Sequence, residues 1–196
     1  AADRFSITIN GKGGHGAYPH AAKDPIVAAS QLVLNLQQIV SRFIDPIQSA
    51  VVTIGQINGG HAFNVIPDKV ELTGTVRTFN EEVRNQIEQF IEKMIRGTCL
   101  TNDCTYDYHY FRGYPPVVNH KEETEFLAKC AGNVPGVTNV IECEKRMVGE
   151  DFAYYLQHVK GTFFFTGAKP VHEKDCFPHH HPKFDIDEQG MLIAAK

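Results

Sequence analysis

The five cysteines of this 196-residue chain, Cys99, Cys104, Cys130, Cys143 and Cys176, are an odd number with no CxxC spacing. That argues against both a disulfide framework and a structural zinc knuckle, and favours free thiols in a reducing, cytoplasmic setting. No apolar run reaches the roughly 18 residues of a membrane span, and Ala1-Ala2-Asp3-Arg4 has none of the regions of a signal peptide. No basic run is present to track phosphates, with Lys plus Arg at 19, Asp plus Glu at 23 and a net charge of −4, so nucleic acid is excluded as a partner. Internal repeats and low-complexity segments are also absent. What is left is a globular protein long enough for one large domain or two small ones.

Phe5 to Asn10 alternates apolar and polar residues and runs into Gly11-Lys12-Gly13-Gly14, the pattern of a strand stopped by a loop. Asp24-Pro25 then supplies a cap and a first-turn proline, and Ile26, Ala29, Val33, Leu36, Val40 and Phe43 recur at helical spacing. Strands are predicted near Ser49 to Ile57 and Lys69 to Thr78, a helix capped by Asn80 from Glu81 to Arg96, and a further strand from Thr105 to Phe111. The order βαββαβ predicts a ferredoxin-like α/β unit over residues 5–112, a four-stranded antiparallel sheet with both helices on one face. Gly113-Tyr114-Pro115-Pro116 opens a second unit, 113–196, with a helix from Glu122 to Ala131, a short strand near Asn139 to Glu142 and a short helix after Gly149-Glu150-Asp151. Gly161-Thr162-Phe163-Phe164-Phe165-Thr166-Gly167 reads as a strand buried on both faces.

Three clusters could carry chemistry. In Cys176-Phe177-Pro178-His179-His180-His181-Pro182 the adjacent histidines are metal-ligand candidates. Prolines predict an extended backbone, which would turn His180 away from His179 and His181, so one imidazole rather than three meets any ion. In Gly11 to His20, His15 stands among glycines that would let a ligand approach the backbone; the GxxxxGK[ST] pattern of a nucleotide loop is absent. Asn64, in the long connection from Asn58 to Asp68, and Arg77 could cradle a carboxylate between a neutral donor and a guanidinium fork.

With GKGGHGAYPH (11–20), AFNVIPD (62–68), GTVRTF (74–79), GEDFAYYL (149–156) and HHPKFDIDE (180–188) in one order, the sequence resembles the dinuclear-metal amidohydrolases of the aminoacylase, hippurate hydrolase and auxin-conjugate hydrolase family, relatives of the glutamate carboxypeptidases. The resemblance implies a ferredoxin-like lid that makes a homodimer contact, joined to an α/β catalytic domain that hydrolyses the amide of N-acyl amino acids. It implies that His15 reaches the partner subunit's site and stabilises the oxyanion, that Asn64, Arg77, Gly149 and Glu150 bind substrate, and that His180, ahead of His179 or His181, is a metal ligand. The implied cofactors are two divalent ions, zinc or manganese, that activate a water.

The family's other metal ligands lie before the lid, and no CGHD-like or HxD segment occurs here. A single histidine cannot hold two ions. The resemblance therefore leads to the expectation of a fragment, the lid plus the C-terminal part of the catalytic domain, inactive alone, with the metal pair expected in the full-length enzyme. Two other readings stay open: a non-catalytic dimerisation or binding module, and a small metal-binding protein using Cys176 and the histidine run.

Overall fold

The computed structural model describes residues 1–170 and 176–196. The alternation around Phe5, Ile7 and Ile9 forms β1, Ala2–Asn10, whose apolar side chains are buried on one face while Arg4, Ser6 and Thr8 stand on the other. A two-residue strand, β2 (Gly14–His15), and a single turn of 3-10 helix at Pro19–Ala21 lead to α1, Pro25–Gln38. The Asp24 carboxylate accepts from the Ile26 and Val27 amides at 2.9 and 3.4 Å, which satisfies donors that the first turn leaves open. A π-helical turn, Ile39–Phe43, extends α1, so the predicted helix carries through Phe43 with a change of pitch.

The next elements are β3 (Ala50–Gly59), β4 (Val65–Ile66), β5 (Lys69–Thr78), α2 (Glu81–Thr101) and β6 (Thr105–Tyr114). Asn80 caps α2 through the Glu82 amide at 2.8 Å, and the helix runs one turn past its predicted end because Ile95, Thr98 and Cys99 continue the buried stripe. The main sheet is antiparallel with order β3-β5-β1-β6, the ferredoxin-like arrangement. Both helices bury one stripe against one face: Leu32, Leu36 and Ile39 from the first, Ile87, Ile91 and Ile95 from the second, over Phe5, Ile7, Leu72 and Val76. Gly74 makes room for Phe5, since a Cβ there would lie 2.2 Å from its Cζ. Cys99 sits in this core with its thiol pushed up to about 11 by burial, and the five cysteines are all free.

One polar network crosses this apolar layer. The side chain of Asp3, fully buried, accepts from Arg84 Nε at 2.7 Å, from the Tyr110 hydroxyl at 2.8 Å and from the Gly113 amide at 2.9 Å. Arg84 Nη2 also donates to the Gly113 carbonyl at 3.1 Å. The network explains a bulge, because β1 and β6 lose register between Ala2 and Arg4, where the Asp3 side chain takes up the Gly113 amide.

The chain divides into two compact units, Ala1–Pro116 with Arg146–Tyr154, and Val117–Lys145 with Tyr155–Lys196. In the first lies the start of α4 (Phe152–Leu156), and in the second α3 (Lys121–Ala131) and α5 (Gln189–Ala194). The strands expected near Asn139 to Glu142 and at Gly161 to Gly167 do not form among the described residues. The second has a physical reason: the Asn119 side chain takes both backbone groups of Phe163 at 2.8 Å, and His120 takes both of Gly161 at 3.1 and 3.2 Å, so no strand ladder runs along the segment.

Burial alone would raise the Asp3 carboxyl, and the hydrogen bonds from Arg84, Tyr110 and Gly113 outweigh it, holding it below the ordinary carboxylate range. Its contribution to stability is therefore full above the unfolded-state value and is lost as pH falls through the folded one. Asp3→Asn leaves the buried Arg84 with only the half-exposed Glu81 carboxylate as counter-charge and should cost about 3 kcal/mol by urea denaturation at neutral pH. The same variant should lose part of the decline in stability on acidification below the ordinary carboxylate range. A parent-like midpoint and acid slope would show that the network is dispensable.

Candidate functional site

His15 is held by backbone pairing that the strand-length sequence pattern does not reveal. β2 and β4 pair antiparallel, Gly14 with Ile66 and His15 with Val65, and the Gly16 amide donates to the Asn64 carbonyl at 2.8 Å. Asp68 locks the same glycine segment twice, its carboxylate accepting from the Gly13 amide at 2.9 Å and its carbonyl from the Gly11 amide at 2.8 Å. On the other side Lys12 and Lys23 exchange both backbone hydrogen bonds at 2.9 Å. The glycines thus serve a different purpose from the one expected. A Cβ on Gly13 would lie 2.8 Å from the Ile66 carbonyl oxygen and one on Gly16 2.9 Å from that of Asn64, so they admit the facing segment of the chain rather than a ligand.

This lattice places His15 and Asn64 side by side, both exposed. His15 Nδ1 accepts from the Ala17 amide at 3.1 Å, so in the neutral ring the proton resides on Nε2, leaving an N–H donor free to act outward. Tyr18 packs on the imidazole with ring centroids 5.5 Å apart. Ala62 to Val65 closes a turn through the Val65 amide and Ala62 carbonyl at 3.4 Å, which puts Phe63 and Asn64 at its tip. The Asn64 side-chain amide makes no hydrogen bond among the described residues. The loop lines a concavity of about 530 Å³ with Gly16 and His61.

Arg77 lies elsewhere, near the opposite end of β5, paired with Ala2 and Val51. At the antiparallel rise per residue, the eight steps from Lys69 to Arg77 span about 27 Å. Within one chain Asn64 and Arg77 therefore do not cradle one carboxylate, which corrects the expectation drawn from their sequence positions. The neighbour of Arg77 is Gly149, where a Cβ would sit 3.1 Å from Ala2 Cβ, 3.2 Å from Tyr114 and 3.8 Å from Arg77 Nη1. Glu150 accepts from the Phe152 amide at 3.3 Å, just ahead of α4. Tyr154 packs edge-on against Tyr114 at 5.9 Å and donates to the Gly113 carbonyl at 3.4 Å.

The histidine run is a turn rather than an extended segment. The His181 amide donates to the Pro178 carbonyl at 3.1 Å, and His180 takes a φ of 69°, the left-handed value that the third residue of a type II turn needs. Pro182 constrains His181, not His180, and so leaves the turn free to form. His181 stacks on Phe177 with centroids 4.1 Å apart, and His179 meets Phe184 edge-on at 4.7 Å, whereas His180 has no ring contact among the described residues. Among these residues no three His, Cys, Asp or Glu side chains converge as metal ligands. The donor set does not fit a dinuclear centre. No helix among the described residues is long and apolar enough to cross a membrane.

The fold is a ferredoxin-like unit with a histidine-bearing glycine loop at one end of its sheet and an arginine at the other. The peptidase dimerisation domain of family M20 matches residues 2–102, and the chain belongs to that family. YhaA of Bacillus subtilis (strain 168), which bears an amidohydrolase name, is 54% identical over 196 residues, 100% of this chain and 50% of YhaA. N-acetyl-L-cysteine deacetylase of the same organism is 43% identical over 195 residues, 100% of this chain and 45% of that protein. The solved structure of the Bacillus subtilis YXEP protein, described as a dinuclear metal binding peptidase from the M20 family, matches with a TM-score of 0.75 and 30% identity over 100% of this chain and 47% of that one. The chain spans about half the length of the curated relatives it matches.

Gly16→Ala should break the Gly16 to Asn64 hydrogen bond and splay β2 from β4. Hydrogen exchange at the residue 16 amide should accelerate by at least about tenfold while α2 stays protected. Unchanged protection at that amide would mean that the pairing does not hold His15.

Proposed function

We propose that this chain supplies the substrate-holding residues of a metal-dependent amidohydrolase acting on N-acyl amino acids, and that it works as a homodimer. The observation that carries the reading is the separation of the candidate residues: His15 and Asn64 at one end of the lid sheet, Arg77 with Gly149 at the other. Two copies related by a two-fold axis can bring the first end of one to the second end of the other, which a single chain does not do. The matched dimerisation domain and the N-acyl amino acid in the name of the deacetylase support both parts.

Each role follows from the chemistry of the side chain. The Nε2–H of His15, fixed as a donor by the bond that Nδ1 accepts, suits the carbonyl oxygen as amide attack turns it into an oxyanion. Asn64, adjacent and with its amide uncommitted, adds a neutral donor. Arg77 offers a fork for the α-carboxylate, and Gly149 leaves the space beside it open. Glu150, next to Gly149 in the chain, would contact substrate from the same loop. His180 is the ligand this chain would offer to zinc or manganese; its strained backbone is the kind found at functional sites, and the remaining ligands would come from outside the described residues. A second reading is a non-catalytic dimerisation module, which needs no more than the sheet and helices of the matched domain.

In the metal-loaded enzyme containing this chain, His15→Ala should lower kcat about 10²- to 10³-fold with little change in KM. Arg77→Ala should raise KM by about tenfold or more with a smaller effect on kcat. Unaltered kinetics in both variants would remove the role assignments, and no hydrolysis of any N-acyl amino acid by the parent would favour the non-catalytic module.

A further inference from the structure

The open face of the sheet carries two arginines in one hollow. Arg4 on β1 lies opposite Thr75, and Ala2 lies opposite Arg77, so Arg4 and Arg77 are diagonal neighbours on the face away from the helices. With Thr73, Phe111 and Gly149 they line a concavity of about 650 Å³. Two other charged residues touch it, and both are committed elsewhere. Asp3 is held by Arg84, Tyr110 and Gly113, and the Arg112 guanidinium by Glu81, Asn85 and Glu88 on α2. Neither Arg4 nor Arg77 forms an ion pair among the described residues, although acids outnumber bases in the chain.

The two guanidiniums have different neighbours. That of Arg4 lies over the Phe111 ring, 4.8 Å from its centroid, while Arg77 reaches toward Gly149. A monoanion would neutralise one and leave the other facing it. A molecule with two carboxylates a few bonds apart satisfies both forks.

We propose that Arg4 and Arg77 form a subsite for a short dicarboxylate. Taken with the proposed function, on which this second step rests, Arg77 takes the α-carboxylate and Arg4 the side-chain carboxylate of an acidic amino acid released from its N-acyl derivative. Arg4 is then a specificity residue of the lid.

The test titrates this chain with glutarate, butyrate and inorganic phosphate, following the arginine Nε–Hε signals by NMR. Glutarate should shift the Arg4 and Arg77 signals together and bind at least about tenfold more tightly than butyrate. Arg4→Gln should erase that preference while leaving butyrate binding unchanged, and Arg4→Lys should restore part of it. Equal binding of glutarate and butyrate, a preference that survives Arg4→Gln, or phosphate competing as well as glutarate would each overturn the subsite. Parallel assays of N-acetyl-L-glutamate and N-acetyl-L-leucine on the metal-loaded enzyme separate the two claims. A glutarate preference lost in Arg4→Gln, with neither amide hydrolysed, supports the subsite and overturns the amide reading.

Discussion

The rigidity of β5 is the constraint on which the candidate site depends. The strand is hydrogen-bonded along both edges, to β3 and to β1, and its inward side chains are locked between those strands and the two helices. It cannot bend to bring its ends together. The connection that carries Asn64 enters one end of it and Arg77 stands near the other, so the separation of about 27 Å between those ends is a fixed property of the fold. Under the proposed function, chemistry that needs both residues on one substrate draws them from two copies. Dimerisation is, on this account, a geometric requirement of the site.

Each end of the ruler is fastened by a polar device. At the His15 end, Asp68 and the exchanged backbone bonds of Lys12 and Lys23 clamp a glycine segment that would otherwise be among the most mobile parts of the chain. At the Arg77 end, Asp3 and Arg84 tie the start of β1 to the exit of β6 beneath Tyr114 and Gly149. The buried pair gains little in net stability against an apolar substitute, but it is costly to break and sets where the chain leaves the sheet. Positional accuracy at both ends thus comes from hydrogen bonds across the sequence, and bulk stability from the isoleucine-rich layer between them.

This division explains what was legible beforehand. The strands around Phe5 and Leu72 and the helix starts at Asp24 and Asn80 are local: alternation, helical spacing and caps are written within a few residues. His15, Asn64 and Arg77 could be named as candidates from their residue types and from motif resemblance. Their distribution over the two ends could not, because β2 and β4 are two residues long and exist only through pairing across fifty positions. The histidine run misled because its prolines stand at the first position of the turn and just after it, leaving the central His179 and His180 unconstrained, and the phenylalanine run because an apolar stretch without alternation becomes a strand only beside another strand. Asp3 gave no signal, since a lone acid in a strand reads as surface until Arg84, Tyr110 and Gly113 converge on it.

The central claim, that one substrate site takes His15 from one copy and Arg77 from another, is tested most directly by mixing two impaired variants. His15→Ala and Arg77→Ala subunits of the metal-loaded enzyme are co-refolded in equal amounts and assayed below the KM of the Arg77→Ala form. If the site is shared, each mixed dimer holds one doubly altered site and one intact site, and activity should recover to about a quarter of the parent. Activity that stays at the average of the two separate variants would place both residues in the same subunit's site and contradict the account.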